Sequence, residues 1–244
     1  MNNTSKKNKR IIHVPIYLQL REIIRNSIED GEYLPGTAIP SENELADFYK
    51  INRITVRNAV DALVQEGLLK SIQGKGVFVI GEKLQHELGE NKGFSKVYNE
   101  LDEPSKISQK TKELRLANNK YAEIFDIDAN DKIHFIKRLI EFKNNTISIE
   151  NIFIPEDVLP ELSNINVNIF SIVDILSFYN VSLAGKRQSI EIVNGDKKIR
   201  KQLNVPKGVA IILMETWYQN KNGNNIVYTQ QWLRSDQASF VINL

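Results

Sequence analysis

Apolar residues in the first third of the chain recur at helical spacing. Ile16, Leu20, Ile23, Ile24 and Ile28 form one stripe behind Pro15, which can open a helix because its missing N–H has no partner at the first position. Asp30-Gly31 ends that helix, and the stretch from Leu34 to Pro40, with two prolines and a glycine, reads as a loop. Ser41-Glu42-Asn43-Glu44 has the form of a capping box: the serine hydroxyl accepts from the Glu44 N–H and the glutamate reaches back. The helix it opens is expected to bury Leu45, Ala46, Phe48 and Tyr49 and to stop near Lys50-Ile51-Asn52. Asn52 caps a third helix whose inward stripe is Val56, Ala59, Val60 and Leu63, with Gly67 just past its end. Two β-like runs follow, Leu68–Ile72 and Val77–Ile80, joined by the tight turn Gln73-Gly74-Lys75-Gly76. Three helices and a hairpin in this order describe a winged helix-turn-helix.

The pattern then breaks. Residues 81–92 are polar and without strong periodicity, as a linker would be. From residue 93 to 244 strands and helices mix. Strands are predicted over Ile107–Leu116, Lys132–Phe142, Thr146–Ile154, Leu183–Val193, Val209–Gln219, Asn225–Arg234 and Ser239–Asn243. Helices are predicted at Ala122–Phe125, after Asn168 with the stripe Ile172, Ile175, Leu176 and Tyr179, and at Asp196–Leu203. Helices interspersed with hairpins imply an α+β fold with a mostly antiparallel sheet. The chain thus reads as two domains, 1–80 and 93–244, joined by 81–92.

Composition narrows the classes. The 244 residues include no Cys, which excludes disulfides, thiolate metal sites and cysteine nucleophiles. No apolar run approaches the roughly 18 residues of a membrane span, and no signal peptide follows the polar, basic start, so a cytoplasmic protein with no membrane partner is expected. Net charge is only +2, but residues 1–80 hold 11 Lys+Arg against 9 Asp+Glu while the remainder is balanced at 21 and 21. Lys6, Lys7, Lys9 and Arg10 make a basic tail; Lys50, Arg53, Arg57, Lys70 and Lys75 make a second cluster, opposed only by Asp61 and Glu66. That is a weak hint of a polyanion partner. His13, His86 and His134 have no metal spacing and no nucleophile signature beside them, so no catalytic residue, metal or cofactor is expected.

The chemistry for DNA lies in Asn52-Arg53-Ile54-Thr55-Val56-Arg57-Asn58. Arg53, Arg57 and either Thr55 or Asn58 leave the buried stripe. An arginine pairs bidentately with guanine O6/N7 or clamps a phosphate, and the N-terminal end of a recognition helix is the part that enters the major groove. Asn52 and Thr55 suit phosphate oxygens or base edges. Ser41 and Asn43 stand at the start of the preceding helix, near the backbone. At the hairpin tip, Gly74 and Gly76 allow close approach to a duplex, with Lys75 or Gln73 entering the minor groove. Two arginines on a helix, or one Gly-x-Gly turn, are each more often an ordinary surface; the order of all three features within about 40 residues is the signal.

Pro40-Ser41-Glu42, Leu45-Ala46, Arg53-x-Thr55-Val56-Arg57-x-Ala59-Val60, Leu63-x-x-Glu66-Gly67-Leu68 and Gly74-Lys75-Gly76-x-Phe78-Val79 closely resemble the DNA-binding domain of GntR-family transcription regulators. The resemblance implies a homodimer on a palindromic operator, with the residues matching Ser41, Arg53, Thr55, Arg57 and Gly74 contacting DNA. Asn43 stands where the family often has Arg, and Asn52 where it usually has Ser; these departures bear on whether the family's usual operator sequence carries over, not on DNA binding itself.

Gly93-Phe94-Ser95, the Ile152-Phe153-Ile154-Pro155 strand end and Phe170-Ser171-Ile172-x-Asp174 resemble the UTRA effector domain of the HutC branch. That implies a chorismate-lyase-like α+β fold binding a small molecule, often a phosphosugar or another small anion. Arg138 lies in a strand among Ile136, Ile140 and Phe142, where a buried charge needs a partner; a bound anion is one, Glu150 on the next strand the other. A two-residue turn at Asn144-Asn145 sets Arg138 opposite Asn151. A three-residue loop, Lys143–Asn145, sets it opposite Glu150. The resemblance places both residues at the effector pocket and so favours the second register. Phe94, Ser95, Ser171 and Tyr228 are the other pocket candidates. Ile140 replaces a second arginine frequent in the family, which weakens the case for a dianionic effector. The function expected is a ligand-responsive repressor of a metabolic operon; an enzyme of the chorismate-lyase-like fold carrying a DNA-binding domain is the alternative.

Overall fold

The structure, a computed structural model, describes residues 15–81, 106–142 and 145–237. The basic tail, His13, His86, most of the 81–92 linker, Phe94, Ser95 and the expected strand Ser239–Asn243 lie outside the described residues. The chain divides into two compact units, Met1–Ile80 and Gly81–Leu244. No helix of the described residues is long and apolar enough to cross a membrane.

The first unit contains α1 (Ile16–Glu29), α2 (Glu42–Tyr49), α3 (Arg53–Gln65), β1 (Leu69–Ile72) and β2 (Gly76–Val79). Its core gathers Leu20 and Ile24 of α1, Leu45 of α2, Val56, Ala59, Val60 and Leu63 of α3, and Leu69 and Val79 of the hairpin. The Ser41–Glu44 capping box is formed in both directions. Asn52 accepts from the Thr55 N–H and hydroxyl at 2.7 and 2.9 Å. Arg21 and Arg25 of α1 both reach Glu66, at the C-cap of α3, at 3.2 and 2.5 Å. The hairpin turn holds Gly74 and Gly76 at φ +71° and +115°, values open to glycine at little cost.

Two expectations fail here. Phe48 is 78% exposed. The inward face of α2 runs through Leu45, Ala46 and Tyr49, and Phe48 packs only edge-on against Tyr49, at 4.9 Å between ring centres. The stretch 36–39 is also more than a loop. Ala38 bridges Phe78, and Gly36, Thr37 and Ile39 exchange hydrogen bonds with Val77 and Val79, so the wing has a third, short strand-like rail.

The second unit is built on a six-stranded antiparallel sheet: β3 (Lys106–Leu116), β4 (Lys132–Phe142), β5 (Asn145–Pro155), β6 (Gly185–Val193), β7 (Ile211–Gln219) and β8 (Asn225–Arg234), in the order β3-β4-β5-β8-β7-β6. Strand periodicity assigns the two faces. One carries His134, Ile136, Arg138 and Ile140 of β4 opposite Ile154, Ile152, Glu150 and Ser148 of β5. The segment after β5 meets this face: Lys112 of β3 donates to the carbonyls of Ser163 and Ile165 at 2.6 and 3.0 Å, tying down the 3-10 turn Pro160–Asn164. The other face carries α4 (Asn118–Phe125), packed over Ile133, Phe153 and Tyr228, and α6 (Lys197–Gln202), over Leu139 and Ile149. Helix α5 (Ile172–Phe178) is capped by Ser171, whose hydroxyl accepts from the Asp174 N–H at 3.1 Å. Asn168 is therefore not the cap expected from the sequence: Ser171 offers a box with an aspartate three residues on, and Asn168 does not.

The β4–β5 register matches neither simple turn. The strands pair out to Phe142 and Asn145, and Ile147 of β5 is an extra residue between Thr146, opposite Glu141, and Ser148, opposite Ile140. A bulge inside the strand, rather than a longer loop, sets Arg138 opposite Glu150.

Two stability predictions follow from this packing. Leu63 is fully buried between α1, α2 and the hairpin, so Leu63→Ala is expected to cost about 2–5 kcal/mol, read by chemical denaturation of the first unit's signal. Burial depresses the His134 imidazole below its ordinary 6.5, partly offset by the Glu156 charge. The unfolded chain then takes up a proton before the folded one does. Stability is full above pH 6.5 and declines as pH falls below it; His134→Phe is expected to flatten that slope in melts taken at successive pH values.

Candidate nucleic-acid interface and effector pocket

In the first unit the residues named for DNA lie at the capped start of α3 (Asn52, Arg53, Thr55, Arg57), at the start of α2 (Ser41, Asn43) and in the turn of the wing (Gln73, Gly74, Lys75). Arg53, Asn52, Asn43, Ser41, Gln73, Gly74 and Lys75 are all exposed, and Thr55 is half-buried against its Asn52 cap. Arg57 sits one turn along α3 from Arg53, and a single carboxylate engages both. Glu42 Oε2 accepts from Arg53 Nε and from Arg57 Nη2 at 2.9 Å each, and Glu42 Oε1 from Arg57 Nε at 3.2 Å. Arg57 and then Arg53 hold the Glu42 carboxyl below its usual range, and Glu42 in turn raises Arg57. Glu42 is the member of this site that sequence reasoning passed over. Its position beside Ser41 was visible, but a capping-box helix start explains an acidic residue there without any further task. Ile54, 72% exposed between Arg53 and Thr55, was likewise not singled out; an apolar side chain on such a face suits a thymine methyl.

In the second unit Arg138 is 3% exposed. Its Nε donates to Glu150 Oε2 at 2.8 Å, Nη2 donates to the same oxygen, and Nη1 donates to the carbonyls of Val167 at 2.7 Å and Phe170 at 3.4 Å. The guanidinium thus has partners within the protein and does not require a bound anion to be buried. The Phe170 contact brings the Arg138 side chain close to the cap of α5 at Ser171. Gln231 of β8 opposes Glu150 and donates to Ser148 Oγ at 2.9 Å. The Tyr218 phenol is pushed up to about 12 by burial and by the Glu150 charge, with Arg138 opposing.

Tyr228 does not join this group. It pairs with Phe153 and Trp217 and stands on the opposite face, stacked against Phe153 at 5.7 Å and hydrogen-bonded to Glu215. The β8 residues on the Arg138 face are Thr229 and Gln231. The parity of β8 relative to β5 is set by a pairing between strands about 80 residues apart in sequence, which local pattern does not reach. Gln231 and Tyr218 were missed for the same reason. Among the described residues no three His, Asp or Glu side chains gather as a metal site.

A three-helix unit with a wing and an arginine-bearing third helix, followed by an antiparallel α+β unit with a buried polar group at its centre, defines a winged-helix DNA-binding regulator with a sensor-type domain. The chain belongs to the GntR family of bacterial regulatory proteins: the family's model matches residues 16–79 and the UTRA domain model residues 109–239. It is similar to the HTH-type transcriptional regulator YurK of Bacillus subtilis, 29% identical over 94% of this chain and 95% of YurK. It is also similar to the transcriptional repressor NagR of the same organism, 28% identical over 93% and 94%. Its fold is like that of PhnF from Mycobacterium smegmatis, with a TM-score of 0.59 at 16% identity over 94% of this chain and 98% of PhnF. These findings make it a transcription regulator rather than an enzyme of the chorismate-lyase-like fold; the winged helix-turn-helix implies DNA binding and the UTRA domain a small-molecule effector.

The Arg138–Glu150 geometry carries a prediction. Arg138→Leu leaves the Glu150 carboxylate against an apolar neighbour, and breaking a buried pair from one side costs about 3–5 kcal/mol. Replacing both partners, Arg138→Leu with Glu150→Met, is expected to recover most of that loss, as read by urea denaturation of the full chain.

Proposed function

We propose that the protein is a ligand-responsive repressor of the HutC branch, acting in the cytoplasm as a homodimer on a palindromic operator that precedes a metabolic operon. The observation that carries this reading is the Glu42 carboxylate holding the guanidiniums of Arg53 and Arg57 together at the capped start of α3. Fixing two long side chains before binding reduces the conformational freedom they lose on the duplex. Glu42 occupies the two Nε groups and one terminal nitrogen of Arg57, which leaves the terminal nitrogens of Arg53 for base edges or phosphate. Ser41, Asn43, Asn52 and Thr55 supply backbone contacts, Ile54 apolar contact with a thymine methyl, and Gln73, Gly74 and Lys75 the wing contact. NagR bears the name of a repressor, which supports that sign of regulation.

The effector pocket is assigned to the sheet face of Arg138 and Glu150, with Ser171, Gln231 and Tyr218; Phe94 and Ser95 stay candidates for it from outside the described residues. Arg138 is already neutralised by Glu150 and Ile140 brings no second charge. The pocket therefore favours an uncharged or singly charged effector rich in hydroxyl groups, a sugar derivative or other small anion, over a dianion. An effector can weaken operator binding only by its differential affinity for the two dimer arrangements, typically about 1–3 kcal/mol of coupling.

Arg57→Ala is expected to weaken operator binding by about 1–3 kcal/mol without unfolding the chain; unchanged binding in mobility shifts at controlled salt would count against this docking. For the pocket, a thermal-shift screen of phosphosugars, neutral sugars, amino acids and sugar acids is expected to give a hit that raises the melting temperature. Glu150→Gln should abolish that shift while operator binding is kept; a shift that survives the substitution places the effector elsewhere.

A further inference from the structure

Among the described residues, strand β6 forms one edge of the six-stranded sheet and pairs with β7 alone. An unpaired edge offers a row of backbone donors and acceptors to any other strand, and proteins usually blunt it with proline, a bulge or a short strand. Among the described residues β6 shows none of these three, since Gly185–Val193 runs for nine residues without proline in unbroken register with Gln219–Ile211; its protection is charge, from Lys186, Arg187 and Glu191. Two large apolar side chains also stand in solvent on one face of β6, Ile190 at 44% and Ile192 at 81% exposure, beside Met214 and Ile212 of β7. The other face of β6 carries Arg187, Ser189 and Glu191. The Arg187 guanidinium lies over the Trp217 ring, 4.2 Å from its centre.

We propose that β6 is the seam of the homodimer, pairing antiparallel with β6 of a second copy about a twofold axis through Ser189. This rests on the homodimer reading above and names its surface. A twofold axis perpendicular to the sheet keeps like faces of both subunits together, so only residues of the same face oppose each other across the seam. Among the registers that satisfy this, the one overlapping the whole strand sets Ser189 against its own copy and Arg187 against the partner's Glu191, twice by symmetry. A slip of two residues either way loses both charge pairs, since Arg187 then faces Ser189 or Val193. Opposite charges set directly across an antiparallel pair attract, and like charges repel, so the sequence of this strand is complementary to itself in that register. On the other face the two Ile190 side chains become diagonal neighbours, while Ile192 comes to lie opposite Lys186 of the second copy.

The chain has no cysteine, so a single introduced thiol reports the seam directly. Opposed residues of an antiparallel pair have Cα atoms about 4.5–5.5 Å apart, inside the range a disulfide spans. Ser189→Cys in the full chain is expected to form a covalent dimer under mild oxidation. Arg187→Cys, whose copies would lie roughly 14 Å apart, is expected to stay uncrosslinked. In sedimentation without oxidant, Arg187→Glu should raise the dimer dissociation constant at least tenfold, and Arg187→Glu combined with Glu191→Arg should restore it. If the wild type sediments as a dimer while Ser189→Cys fails to crosslink, the dimer uses another surface and this inference falls with the homodimer reading intact. A wild type that is monomeric at every concentration overturns both.

Discussion

A charge withdrawn from water must meet an opposite charge or a set of hydrogen bonds, and this constraint organises both halves of the protein. In the sheet the Arg138 guanidinium is enclosed, and every bond it makes goes to Glu150 or to the backbone before α5. At the start of α3 the constraint is looser because water is near, yet Glu42 still draws Arg53 and Arg57 into one cluster. The first pair holds its geometry because neither partner can be removed alone without stranding the other. The second, half in solvent, adds little to stability and acts on geometry instead.

That difference bears on how each site works. A recognition helix whose arginines are already aimed has less freedom to lose when it meets a duplex, and its contacts can be specific because they are not improvised. In the pocket proposed on the Arg138 face the positive charge is already neutralised, so the pocket would not attract anions at large. It can select by hydroxyl pattern, because Glu150, Gln231 and Ser148 are polar groups of fixed position on a rigid sheet. The aromatic row on the opposite face, Phe135, Phe153, Tyr228 and Trp217, serves the packing of α4. It shows how the two sides of one sheet can be given to different tasks by strand alternation alone.

Where sequence reasoning erred, long-range geometry was the reason. Phe48 lies at a position that helical spacing allows inward, but the narrow core of the first unit accepts Tyr49 and Ala46 instead. Asn168 is the exception, a local one: Ser171 caps α5 because Asp174, three residues on, completes its box. Tyr228 lies on the face opposite Arg138 because of how β8 pairs with β5, strands about 80 residues apart, and a change of one residue in register reverses every side chain. The Arg138–Glu150 register was reached through the bulge at Ile147, an inserted residue that no turn rule announces.

What the amino-acid order determined by itself was local: the capping box at Ser41, the Asn52 cap, the glycine turn of the wing, the helical stripes and the strand alternation. These depend on neighbours within a few positions, so spacing along the chain is enough to read them. What only the tertiary structure decided was which side chains meet. Glu42 finds both arginines because α2 crosses α3 at that point, and Arg138 finds Glu150 because one residue is looped out of a strand. Contacts of this kind join residues on different elements, 11 to 15 positions apart here, and their geometry is set by how those elements pair and pack.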